Sequence, residues 1–141
     1  MGERRETNPN STLRAERPIF RFERLEVNSL AKEFAIETIK LTKCFPKEAA
    51  FTASPQLQRA ALSIASNIAE GSGRLRSAEQ AHFTTVAYSS LMEAICQWEI
   101  AGELGWIAPE VASDIRNRAE ELALKLSALH KAQRSPRGSK P

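Results

Sequence analysis

Apolar residues recur at three- and four-residue steps in four separate segments of this chain. The first segment, about residues 24–44, and the residue just after it carry Val27, Leu30, Ala31, Phe34, Leu41 and Phe45. This spacing predicts an α-helix with one apolar face, because 3.6 residues make one turn. Pro46 ends the segment, since proline has no amide hydrogen for the helix and restricts the residue before it.

The second segment has a recognisable start and stop. Ser54 is predicted as the N-cap, with Pro55 at the first helical position. The helix is predicted to stop at Gly71-Ser72-Gly73, with Gly71 free to take the left-handed conformation, which glycine adopts without steric cost. The inner face of this predicted helix consists of Leu57, Ala60, Ala61, Ile64, Ile68 and Ala69.

Two longer helices are predicted in the second half of the chain. Ser77 as N-cap and Gln80 at the third helical position would form a capping box at the start of the third helix. Gly105 is predicted to stop that helix, and Pro109 to begin the fourth. The apolar face of the fourth helix consists of Ala112, Ile115, Ala119, Leu122, Leu126 and Leu129.

Four helices joined by short loops predict an all-α fold, an antiparallel up-down four-helix bundle over residues 19–132. No alternating β-branched run predicts a strand. Residues 1–18 and 133–141 lack apolar periodicity and are predicted as disordered tails. Some large apolar residues lie off the core faces, and helices that are apolar on two faces predict a homo-oligomer. These residues are Ile36, Tyr88, Met92 and Trp106.

The charge is unevenly distributed. The net charge is +3, but residues 19–130 hold 12 basic and 14 acidic residues, whereas residues 131–141 hold four basic residues and no acidic one. An electrostatic case for nucleic acid therefore depends on the tails or on a local patch. The chain has no secretory signal pattern and no apolar run of membrane-spanning length, so a cytoplasmic protein without a membrane partner is expected.

The two cysteines, Cys44 and Cys96, stand singly and far from the paired spacing of zinc or redox motifs. They are predicted to be small buried hydrophobic residues in a reducing compartment.

A polar edge follows the second predicted helix. Its spacing places these side chains on one side of the helix over about three turns, and the residues are Arg59, Ser63, Ser66, Asn67 and Glu70. One interpretation is structural: this edge bonds within itself or to Ser90 and Glu93 on the third helix and fixes the register of the two helices. The other interpretation is a binding surface.

The same stretch resembles a known family. Gln56, Arg59-Ala60, Ser63-Ile64, Asn67-Ile68-Ala69-Glu70-Gly71 and Gly73-Arg74 match the helix-two pattern of the 23S rRNA intervening-sequence proteins. Phe45-Pro46 and Ser90-Leu91-x-Glu93 match its neighbouring segments, and Ser89 departs from the glycine common there. The resemblance covers about residues 20–130.

This resemblance implies a bacterial four-helix bundle that assembles into a homopentameric ring. The fold is similar to that of the accessory protein of diversity-generating retroelements, a basic pentamer that binds nucleic acid and a reverse transcriptase. The resemblance thus implies RNA or DNA as a partner, and a protein partner such as a reverse transcriptase. No cofactor is implied.

Nothing in the chain predicts catalysis. A carboxylate-bridged metal site in a bundle uses two Glu-x-x-His pairs, and only Glu79 and His82 form one. Gly71 and Gly73 lack the lysine and the spacing of a P-loop. We therefore expect a protein that is not an enzyme.

The functional hypothesis is a nucleic-acid-binding oligomer, most simply a binder of structured RNA. The arginine-bearing loop after the second helix, the C-terminal arm and one helix-two arginine would contact phosphates. The residues are Arg59, Arg74, Arg76, Lys131, Arg134 and Arg137. A solubilising tail is the alternative for the arm. The competing function is a protein-interaction scaffold without nucleic-acid binding, which would use an exposed Trp106 and Tyr88 region.

Overall fold

The computed structural model describes the backbone of residues 20–134 and the side chains of residues 26–134. Four helices fill this range, and no strand occurs in it: α1 (Phe20–Thr42), α2 (Ala53–Ser72), α3 (Ser77–Glu103) and α4 (Pro109–Arg134). A short 3-10 turn, Lys47–Ala49, lies between α1 and α2. The all-α prediction is confirmed. The predicted tails lie outside the described residues, apart from the helical residues 133 and 134.

The helices pack as a four-membered bundle, in which α1 contacts α2, α2 contacts α3, α3 contacts α4 and α4 returns to α1. The core between them is built from the predicted apolar faces. Its fully enclosed large side chains include Val27, Leu57, Ile64, Leu91, Leu122, Leu126 and Leu129. The periodicity of the sequence therefore identified the faces that meet.

An aromatic cluster closes the core where the α1–α2 and α3–α4 loops lie. The Phe45 ring packs edge-on against Trp98, with 5.6 Å between centroids, and tilted against Trp106 at 5.1 Å. Trp98 is buried, and its indole Nε1 donates to Thr38 Oγ1 at 3.4 Å. Trp106 is partly buried against this core rather than exposed as the scaffold hypothesis requires.

The two predicted serine N-caps are wrong. α2 begins at Ala53 with Thr52 as its N-cap, and Ser54 lies inside the first turn with its side chain buried. α3 begins at Ser77 itself, with Arg76 as an N-cap that makes no side-chain capping bond. In place of a capping box, Gln80 Nε2 donates to the Arg74 carbonyl at 2.8 Å and holds the preceding loop.

α2 ends within the predicted stop, Gly71-Ser72-Gly73, but the predicted left-handed conformation of Gly71 is wrong. α2 continues to Ser72, and the C-cap Gly73 keeps a φ of −83°. Gly71 is buried inside the helix, where an added Cβ would lie 3.0 Å from Phe83 Cβ on α3. The glycine thus allows close approach of two helices, not a change of backbone direction.

Gly105 ends α3 as predicted and takes the left-handed conformation, with φ of 74°. The Trp106 amide bonds the Ala101 carbonyl at 3.0 Å, and the Gly105 amide bonds the Gly102 carbonyl at 3.1 Å. This pair of bonds is a Schellman motif, which satisfies carbonyls that the helix end leaves unpaired. α4 then begins at Pro109 as predicted.

α4 extends two residues past the predicted domain boundary at residue 132. Gln133 is 5% exposed, and its Oε1 accepts a 2.7 Å bond from Thr84 Oγ1 on α3. Earlier in α4, Lys125 Nζ donates to Glu26 Oε1 on α1 at 2.7 Å, and this hydrogen bond raises the pKa of Lys125. Tertiary contacts therefore hold the end of α4, and the local sequence of residues 133–134 gave no sign of them.

The prediction that the cysteines are buried is wrong for this chain, because Cys44 and Cys96 are both exposed. Cys44 falls in the turn that follows α1, and Cys96 lies on the outer face of α3. No helix within residues 20–134 is both long and apolar enough to cross a membrane.

Candidate nucleic-acid interface

Four of the predicted phosphate-binding residues lie where α2 ends, α3 begins and α4 ends. Arg74 and Arg76 are in the loop between α2 and α3, and Lys131 and Arg134 are in the last turn of α4. All four are exposed. We call this region, with its two neighbouring histidines His82 and His130, the basic end.

Two adjoining cavities show that the loop and the α4 terminus are neighbours. The first, of about 330 Å³, is lined by Arg74, Ala78, Glu79, His82 and Phe83. The second, of about 560 Å³, has Arg134 and His130 from α4 in its lining. Ala78 and His82 line both cavities. Basic groups from distant parts of the sequence therefore meet on one surface.

The charges of the basic end differ in how far they are neutralised. Arg74 Nη2 lies 3.0 Å from Glu70 Oε1, and its guanidinium lies 4.9 Å from the centre of the Phe83 ring. The Arg74–Glu70 pair is exposed on both sides, so water weakens it. Within the described part of the chain, Arg76, Lys131 and Arg134 form no ion pair. Glu79, which lines the smaller cavity, offsets one of these three charges and leaves the surface net positive.

His82 and His130 are the residues of this surface that the sequence analysis did not assign to it. His82 is exposed on the second turn of α3, its ring edge-on to Phe83 at 5.4 Å, and His130 is partly buried in α4. The local signal for His82 was its place six residues after Arg76, in the second turn of the helix that follows the charged loop. His130 had no such signal, because only the packing of α4 on α3 brings it there.

Two predicted phosphate-binding residues are not part of the basic end. Arg59 is exposed in the first half of α2, about 15 residues of helix, or roughly 20 Å, from the loop arginines. Arg137 lies outside the described residues.

Part of the predicted polar edge forms a bridge between α2 and α3. Ser63 Oγ and Ser90 Oγ are 2.8 Å apart. Asn67 Nδ2 donates to the Ser63 carbonyl at 2.8 Å and to Ser63 Oγ at 3.0 Å. The three side chains are partly buried. They have the position and the bonds of a register-fixing contact.

The other members of the edge are not in that bridge. Glu70 is exposed and pairs with Arg74, and Glu93 accepts a bond from Gln97 Nε2 on its own helix at 3.2 Å. Both carboxylates remain in solvent, because burying a charge is costly unless it is paired and hydrogen-bonded. Arg59 and Ser66 are exposed and make no side-chain bond among residues 26–134.

The outer face of α3 carries a ridge of exposed apolar side chains at four-residue steps. Its members are Tyr88, Met92, Cys96, Ile100 and, just past the helix, Leu104. A row at this spacing is one of the ridges with which helices pack into one another. Within residues 26–134 of the single chain, no other element covers this helix-sized apolar surface.

No group of three or more His, Cys, Asp or Glu side chains within residues 26–134 is placed to hold a metal ion. Glu79 and His82 line the smaller cavity together, without a second pair of the same kind.

Comparisons with known proteins show which of them this chain is similar to. No curated protein matches the chain. A solved structure of a protein of unknown function from the S23 ribosomal protein family of Bacteroides thetaiotaomicron superposes with a TM-score of 0.71. It is 22% identical and covers 77% of this chain and 98% of its own. At that identity the likeness concerns the fold. The match to the family of 23S rRNA-intervening sequence proteins spans residues 23–128, so this chain belongs to that family.

Proposed function

We propose that this protein is a non-enzymatic, oligomeric four-helix bundle that binds structured RNA through its basic end. The observation that carries the proposal is that the cavity lined by Arg74 and the cavity lined by Arg134 share Ala78 and His82. This sharing places the α2–α3 loop, which also holds Arg76, beside the last turn of α4, which also holds Lys131. The family name connects its members with ribosomal RNA, which favours RNA over DNA. The cytoplasmic location expected from the sequence belongs to the same proposal.

The basic end is one end of an antiparallel, up-down bundle in this proposal. Contacts support alternating helix directions: Ser63 meets Ser90 and Gly71 meets Phe83, so the partner moves back along α3 as α2 advances. Likewise Thr84 bonds Gln133, so the start of α3 lies beside the end of α4. In this order the α2–α3 loop and the end of α4 lie at the same rim of the bundle, and this rim is the basic end.

The chemistry of this rim suits phosphates. Arginine donates two parallel hydrogen bonds to a phosphate, and lysine adds a point charge. The amino-terminal amides of α3 also face this region, and a helix N-terminus carries a partial positive charge. The surface offers no stacked set of aromatic rings for reading bases. Binding is therefore expected to be led by counterion release and to weaken with added salt.

Oligomerisation would raise the affinity for RNA above that of a single basic end. The α3 ridge is an unpartnered apolar face, and we propose that it packs against a second copy in a homopentameric ring, as the family resemblance implies. Five copies of the rim would then lie around one axis, so that several weak contacts act on one RNA. Light scattering should give five times the chain mass of 15.6 kDa, and Met92→Glu with Ile100→Glu should reduce it to one.

The scaffold alternative has one supporting feature, the same α3 ridge. Its predicted Trp106 contact is weakened because that ring packs on Phe45 inside the bundle. In the homopentamer the ridge is buried between copies, so a protein partner of the scaffold would have to bind another surface. A protein partner such as a reverse transcriptase stays a prediction.

Fluorescence anisotropy with a labelled, structured RNA tests the proposal on the full chain. The triple variant Arg76→Gln/Lys131→Gln/Arg134→Gln should lose most of the affinity at low salt. The matched control is Lys32→Gln/Lys40→Gln/Lys43→Gln, which removes the same charge from exposed positions in and just after α1 that form no ion pair within residues 26–134. It should bind nearly as well as the unmodified protein.

Equal weakening by the two triple variants would mean that net charge, rather than this surface, governs binding. Absence of binding by the unmodified chain at low salt would overturn the proposal in favour of the scaffold.

A further inference from the structure

The larger cavity of the basic end is a recess between the first turns of α3 and the last turns of α4. It has a volume of about 560 Å³ and is lined by Ser77, Ala78, Ala81, His82, Thr85, His130, Gln133 and Arg134. That volume lies within the range of small-ligand sites. No carboxylate is among the lining residues, although acidic side chains are common elsewhere in the chain. The recess is therefore a positively charged concavity.

Gln133 provides a buried polar group that opens on this recess. It is 5% exposed, and its Oε1 is engaged by the Thr84 hydroxyl at 2.7 Å. Its Nε2 has no hydrogen-bond partner among the described side chains, yet it is not one of the fully enclosed unpaired atoms. Because Gln133 is one of the residues that line the cavity, this amide can donate to a ligand held there.

The first turn of α3 presents further donors to the same recess. Ser77 and Ala78 are the first two residues of this 27-residue helix, and no side chain caps it. Their amides have no carbonyl partner within the helix. An anion placed there would accept these amides and interact with the positive end of the helix dipole.

Three side chains complete the set of donors. His82 and His130 stand on opposite sides of the recess, one on α3 and the other on α4, and Arg134 lies at its edge. None of the three makes a hydrogen bond or an ion pair within residues 26–134. An imidazole can donate an N–H in its neutral or charged form, and a guanidinium donates several.

We propose that this recess binds a terminal phosphate monoester, the 5′- or 3′-phosphate at the end of an RNA strand. A monoester carries close to two negative charges at neutral pH and exposes three oxygens, which suits the donors that α3 and α4 contribute to the recess. An internal diester has one charge and is flanked by sugars, so it fits the open rim better than the recess. The inference rests on the proposed function, and adds to it a preference for strand ends.

Anisotropy titrations of the full chain test this with one RNA sequence in three forms, namely 5′-phosphorylated, 3′-phosphorylated and unphosphorylated at both ends. At least one phosphorylated form should bind about tenfold or more tightly than the unphosphorylated form, since hydrogen bonds to a charged group are worth that much. Competition with adenosine monophosphate, set against adenosine, separates a free nucleotide from a strand end as the source of the phosphate.

Variants of the lining residues locate the effect. His82→Ala, His130→Ala and Arg134→Gln should each reduce the ratio between phosphorylated and unphosphorylated affinities. Lys43→Gln, an exposed charge after α1, should leave that ratio unchanged. The ratio is informative because a general loss of charge or of stability lowers both affinities together. Circular dichroism of each variant confirms that it is folded, and any one folded variant suffices for the test.

The outcomes separate this inference from the function on which it rests. Equal affinity for all three RNA forms would overturn the phosphate recess while leaving RNA binding in place. A preference for phosphorylated RNA that none of the folded variants reduces would also overturn it. Binding of adenosine monophosphate without any preference among the RNA forms would overturn the strand-end assignment in favour of a free nucleotide. No binding of any RNA would refute the proposed function itself.

Discussion

Gly71→Ala is the substitution that tests the packing of α2 on α3 most sharply. The new Cβ would lie 3.0 Å from Phe83 Cβ, and that atom is fixed to the α3 backbone. Replacing a helical glycine by alanine gains about 1 kcal/mol of helix propensity. Overpacking a close contact costs about 1–3 kcal/mol. The expected net result is a loss of about 1 kcal/mol, which lowers the Tm by about 4 °C in a domain of this size.

Gly73→Ala is the matched control. Its added Cβ would meet only the Glu70 carbonyl, at 3.6 Å, and its φ of −83° suits alanine. Because alanine reduces the freedom of the unfolded chain, this variant should gain about 0.4–1 kcal/mol. Urea unfolding followed by circular dichroism measures both at one protein concentration, because oligomerisation makes stability concentration-dependent. If Gly71→Ala stabilised the protein as Gly73→Ala does, the close-approach argument would be refuted.

Three further predictions concern contacts between helices, each measured by urea unfolding. Trp98→Ala removes a buried ring that packs on the core and should cost about 3–5 kcal/mol; a loss below 1 kcal/mol would contradict its burial. Thr84→Val leaves Gln133 Oε1 without its donor and should cost about 1–3 kcal/mol, most of which Thr84→Val/Gln133→Met should recover. Ser63→Ala and Ser90→Ala should show a coupling energy of about 0.5–1.5 kcal/mol in a double-mutant cycle, and additive losses would mean that their 2.8 Å contact contributes nothing.

The helices and their core faces were predictable because periodicity is a local property of the sequence. The three- and four-residue steps identified all four helices, and Gly105 and Pro109 marked a loop whose geometry depends on neighbouring residues alone.

Helix starts were less predictable, since they depend on tertiary burial. Ser54 has the chemistry of an N-cap, yet its side chain is buried in the first turn of α2. Gly71 has the chemistry of a helix stop, yet its role is contact with Phe83 in another helix. In both cases the competing requirement came from packing, which local sequence does not contain.

The candidate site shows the same division. Arg74 and Arg76 were identifiable because they lie in a charged loop. The cysteines were misassigned because burial statistics ignore where in the fold a residue lies. The recess could not be predicted from the sequence, because it forms between segments that are distant along the chain. Thr84 and Gln133 are 49 residues apart and become neighbours only in the bundle. No local pattern linked His130 to the α2–α3 loop.

The most direct test of RNA binding by the basic end is the salt dependence of the association constant. The slope of log K against log salt is about −0.7 for each phosphate contacted in a single strand and about −0.9 in a duplex. Removing Arg76, Lys131 and Arg134 together should therefore make the slope for a structured RNA shallower by about 2–3, whereas removing Lys32, Lys40 and Lys43 should leave it unchanged. Identical slopes for the two triple variants would contradict the claim that RNA is bound at this surface.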